Sequence, residues 1–230
     1  TGYNPFTVEG KKTTAFEIWE NIITKYDLHS PLSIFVSVGD GNIISGLHKG
    51  FKDLVALGWL EVMPRIYGIQ SSGSAAVANA FFAGTEHITP VKANTLADSI
   101  SVDLPRDGVR AVRAAVQTKG AYLTVTDQQI VDAIPVLGGT GIFAEPAGAA
   151  AFAGLLKALD QEMIQSEEPV LVVNTGSGLK DIQTAMQSVN PAPVIEPSMQ
   201  ALKKHIRRRG RARGAPAPGP PARACPGPAA

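Results

Sequence analysis

Residues 33–44 read Ser-Ile-Phe-Val-Ser-Val-Gly-Asp-Gly-Asn-Ile-Ile, an apolar, β-branched run that ends in a turn with two glycines. Such a run is typical of a buried β-strand, and the glycines mark its end. We predict a strand over residues 33–38, a turn over residues 39–42 and a helix from about Ile43 to Leu57. A strand that passes through a glycine-rich turn into a helix is the repeating unit of a parallel sheet.

The same order of elements recurs along the chain. Short apolar runs predict further strands at residues 65–69, 122–125 and 170–173. Helical spacing or alanine-rich composition predicts helices over residues 9–26, after Ser74 to Phe82, beyond a cap at Thr126 or Asp127, and over residues 144–159. The charged stretch 103–113 is expected to lead into the strand at residue 122, with its arginines on a solvated face. The sequence therefore predicts an α/β fold, a largely parallel sheet flanked by helices.

The composition favours one soluble globular protein. The chain has 230 residues, 44% of them hydrophobic and 18% charged, which is enough to bury one sizeable core. No apolar window of about 18 residues is free of charge, so we expect a cytoplasmic protein with no membrane segment. The single cysteine, Cys225, excludes an internal disulfide, and the four histidines lie on different elements, so no metal site is predicted.

The charge is distributed unevenly between the body and the C-terminus. Residues 201–230 carry eight basic residues and no acidic one, which leaves residues 1–200 with a net charge of −7. From Gly210 onward the chain is almost entirely Arg, Gly, Ala and Pro and has no apolar periodicity to bury. We therefore predict a globular domain over residues 1–200 and a disordered basic tail over residues 201–230, with no specific nucleic-acid role.

The turn after the first strand has the features of an anion site. Backbone N–H groups of Gly39, Asp40, Gly41, Asn42 and Ile43 lie where a strand enters a helix, and the positive helix end favours a phosphate. The turn matches neither the nucleotide-triphosphate loop nor the dinucleotide pattern, so a compact monophosphate fits better. Asp40 suits this role only if its carboxylate turns away from the anion. A tight structural turn without a ligand is the alternative.

A second glycine-rich turn, residues 174–181, follows the last predicted strand. Ligands of open parallel sheets bind at the carboxyl ends of the strands, where both turns are expected to lie. A hydroxyl in this turn, such as that of Thr175, could hydrogen-bond a ring nitrogen, whereas the alternative is a simple helix cap. Glu145, at the start of the alanine-rich helix, is open to the same two interpretations.

Six segments, in order, resemble the pyridoxal-phosphate-dependent threonine synthases of the tryptophan-synthase-β-like family. The resemblance covers nearly all of residues 4–182. The segments that carry it are Asn4-Pro5 with Glu9-Gly10-Lys11-Lys12-Thr13, residues 37–43 with 49–54, Gly68-Ile69-Gln70 with Gly73-Ser74-Ala75, residues 97–102, residues 144–150, and residues 175–181.

The resemblance implies a cofactor, a reaction and site residues. It makes the chain most of the large domain of a fold-type II enzyme, with Gly39 to Ile43 cradling the phosphate of pyridoxal 5′-phosphate. Thr175 would meet the pyridine nitrogen, and a neutral hydroxyl there leaves the ring largely unprotonated. The reaction implied is O-phosphohomoserine plus water to threonine plus phosphate, in a homo-oligomer of the complete protein.

Two departures from the family pattern limit that expectation. None of the chain's lysines lies in the family's Schiff-base motif, which belongs upstream of the matched segments, so no catalytic residue is assigned and the isolated chain is expected to be inactive. Thr7 stands where the family often has an arginine for the substrate phosphate. A serine/threonine dehydratase-like β-elimination, or a non-catalytic module that binds a phosphate ligand, therefore stays open.

Overall fold

The computed structural model describes residues 4–26 and 28–213. It divides the chain into two compact units, one up to Asn190 and the other from Pro191 onward. The first unit holds a four-stranded sheet and eight α-helices among its described residues. Among the described helices none is both long and apolar enough to cross a membrane.

The sheet of the first unit is entirely parallel. Its strands are β1 (Ser33–Ser37), β2 (Arg65–Ser71), β3 (Tyr122–Val125) and β4 (Val170–Val173), in the order β3-β2-β1-β4. Phe35 of β1 lies level with Tyr67 of β2 and Val172 of β4. Every residue of β1 is buried, whereas β4 is an edge strand that is exposed or half-buried along its length. The predicted α/β fold with a parallel sheet is confirmed, and the predicted strands lie within two residues of the observed ones.

Helices flank the sheet. The helices of the first unit are α1 (Pro5–Lys11), α2 (Thr13–Ile18), α3 (Asn42–Ala56), α4 (Ala76–Phe82), α5 (Gly108–Gln117), α6 (Asp127–Gly139), α7 (Pro146–Asp160) and α8 (Ile182–Gln187). A π-helical turn, Trp19–Ile23, continues α2. The second unit contains α9 (Met199–Arg213).

Alternation along the strands builds a separate apolar core on each side of the sheet. Ile34 and Val36 of β1 belong to the cluster that contains residues of α3, α4 and α5. Phe35 belongs to the opposite cluster, with residues of α6 and α7, and stacks on Tyr67 at a centroid distance of 4.7 Å. Because both faces are covered, the strands are apolar on both sides, as parallel strands usually are. The carboxyl ends of β1 and β4 are thereby held side by side.

Two expectations about local structure are corrected. The charged stretch 103–113 contains most of α5, which turns Ala111, Ala114 and Ala115 into the core and leaves arginines outside. The apolar face of α5 was not predicted because it consists mostly of alanines, which give only a weak signal of amphipathicity. The helix predicted over residues 9–26 begins earlier, at Pro5, and divides at Lys12.

The predicted disordered tail is also partly corrected. Its first thirteen residues, 201–213, belong to α9. The segment contains Ala, Leu, Lys and Arg, which are strong helix formers even where no apolar face is buried. Residues 214–230 lie outside the described residues, so the prediction of disorder is untested there.

Candidate functional site

A cavity of about 220 Å³ lies at the carboxyl ends of β1 and β4. Its wall contains all six residues that the sequence assigned to a cofactor: Gly39, Asp40, Gly41, Asn42, Ile43 and Thr175. Residues 39–43 come from the turn between β1 and α3, and Thr175 comes from the turn after β4. Two turns separated by more than 130 residues therefore meet at one place.

The first turn requires its glycines because other backbone lies against it. A Cβ at Gly39 would lie 2.9 Å from the Cα of Ile100, and one at Gly41 would lie 2.9 Å from the carbonyl oxygen of Asp107. Gly41 also has a φ of +89°, in the left-handed region that L side chains rarely adopt. The glycines allow the turn to place the N-terminus of α3 at the cavity.

The carboxylate of Asp40 is hydrogen-bonded to neighbouring residues of the fold. Its Oδ1 accepts a hydrogen bond from the backbone N–H of Arg106 at 2.8 Å, and its carbonyl oxygen accepts one from the N–H of Asp107 at 2.9 Å. Its Oδ2 accepts a bond from the side-chain amide of Asn42 at 3.3 Å. Through these bonds Asp40 holds the turn against the segment that precedes α5.

The N-terminus of α3 supplies free donors at the cavity. No side chain caps this helix, and the first N–H groups of any α-helix have no partner within the helix. Two buried side-chain atoms of the cavity wall, the hydroxyl of Ser37 and the carbonyl oxygen of Asn42, also lack a hydrogen-bond partner among the described residues. Buried polar atoms are normally satisfied, so these atoms indicate a polar ligand.

Lys11 is a cavity residue that sequence reasoning missed. It belongs to α1, which packs so closely on α3 that a Cβ at Gly46 would lie 2.5 Å from the Cβ of Lys11. Lys11 lines the cavity, and none of its contacts within the described residues is an ion pair. Thr7 lies four residues before Lys11 and therefore on the same face of α1. Because Thr7 stands where the family often has a phosphate-binding arginine, this spacing is the signal in the sequence that could have indicated Lys11.

Glu145 and Lys180 form an ion pair at the opposite wall. The Nζ of Lys180 lies 3.3 Å from Oε1 of Glu145, whose side chain is only 6% exposed. Glu145 stands at the N-cap position of α7, but its carboxylate makes no capping hydrogen bond there. The capping interpretation of this side chain is therefore wrong, and the carboxylate faces the cavity instead.

The second turn is held by Glu145 and by a short antiparallel bridge. The backbone N–H of Glu145 donates to the carbonyl oxygen of Gly176 at 3.1 Å, and Ala144 pairs with Ser177. Ser177 caps the short 3₁₀ helix Gly178–Lys180 by accepting from the N–H of Leu179. Because Ser177 does the capping, the half-buried Thr175 is left without a structural hydrogen bond among the described residues.

Comparison with known proteins assigns the family. The sequence profile described as "Pyridoxal-phosphate dependent enzyme" matches residues 1–176. This chain belongs to that family. Curated relatives of the pyridoxal-phosphate family include the threonine synthase of Methanocaldococcus jannaschii, 35% identical over 206 residues, which are 89% of this chain and 50% of that protein. The threonine synthase of Mycobacterium bovis is 36% identical over 83% of this chain and 51% of its own length.

Solved structures of other proteins share the fold. Threonine deaminase isoform 2 of Solanum lycopersicum matches 80% of this chain and 50% of its own with a TM-score of 0.60 at 21% identity. The L-serine ammonia-lyase of Rhizomucor miehei matches 78% of this chain and 56% of its own with a TM-score of 0.61 at 19% identity. These likenesses confirm the expected fold-type II architecture. The chain spans about half the length of the curated relatives it matches.

The residues at the cavity fit a bound pyridoxal phosphate. The helix N-terminus and Lys11 offer donors and positive charge for a phosphate dianion, and the glycines leave room for its close approach. The unpartnered Ser37 and Asn42 atoms and the Thr175 hydroxyl offer neutral polar contacts. Neither carboxylate of the described wall is without a partner, because Asp40 is bonded to backbone and Glu145 to Lys180.

Proposed function

We propose that this chain forms most of the cofactor-binding domain of a threonine synthase-like enzyme. In this proposal the cavity between the two turns holds pyridoxal 5′-phosphate, and the complete enzyme converts O-phosphohomoserine and water to threonine and phosphate. The observation that carries it is the convergence of residues 39–43 and Thr175 on one cavity. The threonine synthase relatives, at 32% to 36% identity, support the choice of reaction within the family.

The first turn and Lys11 hold the cofactor phosphate. A dianion at the N-terminus of α3 is stabilised by the unpartnered amides and by the helix dipole, which contributes about 0.3–1 kcal/mol at an exposed site and more when partly buried. Lys11 adds a full positive charge from a different helix. Because Asp40 is committed to the backbone of Arg106 and Asp107, its carboxylate is held off the phosphate.

Thr175 and Glu145 set the environment of the cofactor ring. When bound, the cofactor supplies an electron sink for bond changes at the substrate carbons. The Thr175 hydroxyl is neutral, so a hydrogen bond from it to the ring nitrogen does not draw a proton onto the ring. The carboxylate of Glu145 is paired with Lys180 at 3.3 Å, and its backbone N–H donates to Gly176 of the second turn.

The reaction also needs a lysine that bonds covalently to the cofactor. Lys11 and Lys180 line the cavity, but neither stands in the family's lysine motif, and Lys180 is paired with Glu145. We therefore propose that turnover requires the covalent lysine of the complete protein. The proposed substrate is a small phosphorylated amino acid, bound by a homo-oligomer of that complete protein.

A test of this function supplies the upstream half. The chain is co-expressed with the upstream half of the Methanocaldococcus jannaschii relative, loaded with pyridoxal phosphate, and assayed with O-phosphohomoserine and separately with serine and threonine. We expect threonine and phosphate to be formed by the pair and by neither part alone. The Gly41→Ala variant, with a disrupted first turn, serves as the inactive control.

A β-elimination of serine or threonine is the second candidate, and Thr7 favours it. A threonine lacks the bidentate donors with which an arginine grips a phosphate, so the chain has lost one family contact to phosphohomoserine. Release of ammonia and a keto acid from serine or threonine, without conversion of O-phosphohomoserine, would support this candidate. Cofactor binding without either reaction would support a non-catalytic module.

A further inference from the structure

A second cavity, lined by α1, α3 and α5, shares no lining residue with the cofactor cavity. We define the basic groove by six of the polar residues on its α3 and α5 walls: Ser45, His48, Lys49, Lys52, Arg110 and Arg113. Its volume is about 530 Å³, room for a ligand larger than a free phosphate ion. We propose that the basic groove binds a small phosphate monoester.

Helical spacing assembles the groove from two faces. Ser45, His48, Lys49 and Lys52 stand at positions i, i+3, i+4 and i+7 of α3, which places them on one side of that helix. Arg110 and Arg113 are three residues apart on α5 and face the same space. Lys49, Lys52, Arg110 and Arg113 were expected on solvated faces, and the packing of the two helices turns them toward a common ligand-sized space.

Two polar residues that line the groove, Ser45 and His48, are buried, and the hydroxyl of Ser45 has no hydrogen-bond partner among the described residues. Ser45 is 3% exposed, and its hydroxyl makes no hydrogen bond to the described residues. His48 is 8% exposed, and burial together with the charge of Lys52 lowers the pKa of its imidazole to about 4. A hydroxyl and a neutral imidazole are both able to donate to an anion. The buried, unpartnered hydroxyl of Ser45 indicates a polar ligand in this part of the groove, and His48 lines the same space.

The charge of the groove favours an anion. Four of its wall residues are cationic, and Glu9 is its one acidic wall residue among those described. Glu9 pairs with Lys49, while Arg110 and Arg113 are held by Asp107 and Glu86 from outside the wall. Lys52 makes no ion pair among the described residues. An anion would therefore meet one uncompensated ammonium group and three cations that are paired but remain partly exposed.

The α1 wall of the groove is mostly apolar. Pro5, Phe6 and Val8 line it beside Glu9, and Phe6 is 77% exposed. A free phosphate would use only the cationic side and leave this wall in contact with water. A phosphate that carries an organic group covers both walls, which is why a monoester fits the groove better than inorganic phosphate.

Calorimetric titration of the chain with phenyl phosphate tests the proposal. We expect saturable binding that is several-fold tighter than that of inorganic phosphate. The Lys52→Gln/Arg113→Gln variant removes two exposed cations of the groove and should weaken binding about tenfold, by analogy with other charge-assisted contacts. One control should bind like the unaltered chain: Lys25→Gln/Lys92→Gln loses the same charge outside the groove.

The pKa of His48 provides a second measurement, one that a general loss of charge on the protein would not change. The charged groups that line the same cavity are Glu9, Lys49, Lys52, Arg110 and Arg113. A dianion bound among these groups favours the imidazolium form of His48, so phenyl phosphate should raise the pKa of His48. An NMR titration of the imidazole measures this pKa. Absence of saturable binding, equal weakening in the Lys25→Gln/Lys92→Gln control, or an unmoved His48 would overturn the site. Equal affinity for inorganic phosphate would overturn the assignment of a monoester.

Discussion

The two glycine-rich turns face the same cavity but are built differently. The first follows β1, a central strand with every residue buried, and enters the 15-residue helix α3. The second follows β4, a half-exposed edge strand, and enters a 3₁₀ helix of three residues. Only the first turn thus ends at a helix long enough to present a substantial dipole. We therefore propose that the same glycine-rich pattern serves as a phosphate-binding turn in one place and as a hydroxyl-bearing turn in the other.

The turns also differ in what holds them. Gly39 and Gly41 are packed against backbone atoms of Ile100 and Asp107, which cannot move independently. At the second turn, a Cβ at Gly176 would meet the carboxylate of Glu145, the far end of a side chain that is able to rotate. We therefore expect substitutions in the first turn to have the larger effects on both stability and ligand binding.

The largest effect is expected for Gly41→Ala. The substitution places a Cβ at a positive φ and also against the Asp107 carbonyl, so the free energy of unfolding should fall by about 3 kcal/mol. Gly58→Ala is the matched control, because Gly58 has a φ of +73° and open space around it, and it should cost about 1 kcal/mol. Urea unfolding measures both. Equal losses of unfolding free energy in the two variants would show that the packing of Gly41 against the Asp107 backbone does not contribute to the effect.

The helix that leaves the first turn carries a buried titratable group, His48, and this predicts a pH dependence. The folded pKa of about 4 is below the ordinary 6.5, so the unfolded chain binds the proton first as the pH falls. Stability should be complete above pH 6.5 and decrease by about 2 kcal/mol as the pH falls toward 4.

The second turn should not contribute in that pH window. Its half-buried Asp181 has a pKa lowered by hydrogen bonds from Thr184, so any stability it provides is lost only below its ordinary value of 3.8. Urea unfolding at a series of pH values checks this, with His48→Gln as the control that should lose the slope. A variant that keeps the full slope would exclude His48 as its source.

A smaller effect is expected for Asp40→Ala. The change removes the acceptor of the Arg106 amide and should lower the free energy of unfolding by about 1 kcal/mol. Asp40→Asn keeps an oxygen at the same position and should be closer to the unaltered chain in stability. If the two variants are equally destabilised, the hydrogen bond to Arg106 is not what fixes the turn.

The smallest change in stability is expected for Thr175→Val. The Thr175 hydroxyl makes no hydrogen bond to the described residues, so the free energy of unfolding should change by less than about 0.5 kcal/mol. Binding of a pyridine ligand should nevertheless weaken about fivefold, corresponding to one lost hydrogen bond. Thr175→Ser retains the hydroxyl and should bind normally. Unchanged binding by Thr175→Val would remove this residue from the site.

The strands and the two turns were predictable from the sequence, because β-branched runs followed by glycine give a local signal. Helix α5 was missed because its buried face consists of alanines, such as Ala111 and Ala114. Lys11 was missed for a different reason. Its place at the cavity depends on the close packing of α1 on Gly46 of α3, a contact between distant segments that no local pattern reports.

Binding of pyridoxine 5′-phosphate tests the central claim most directly, because this compound lacks the aldehyde that reacts with surface lysines. The titration is made in the Lys52→Gln/Arg113→Gln background, in which the basic groove is weakened, and is compared with unphosphorylated pyridoxine. We expect the phosphate ester to bind saturably and at least about tenfold more tightly than pyridoxine. This binding should be lost in Gly41→Ala and retained in Gly58→Ala. Equal affinity for both compounds, or binding unaffected by Gly41→Ala, would contradict the assignment of the first turn as the phosphate site.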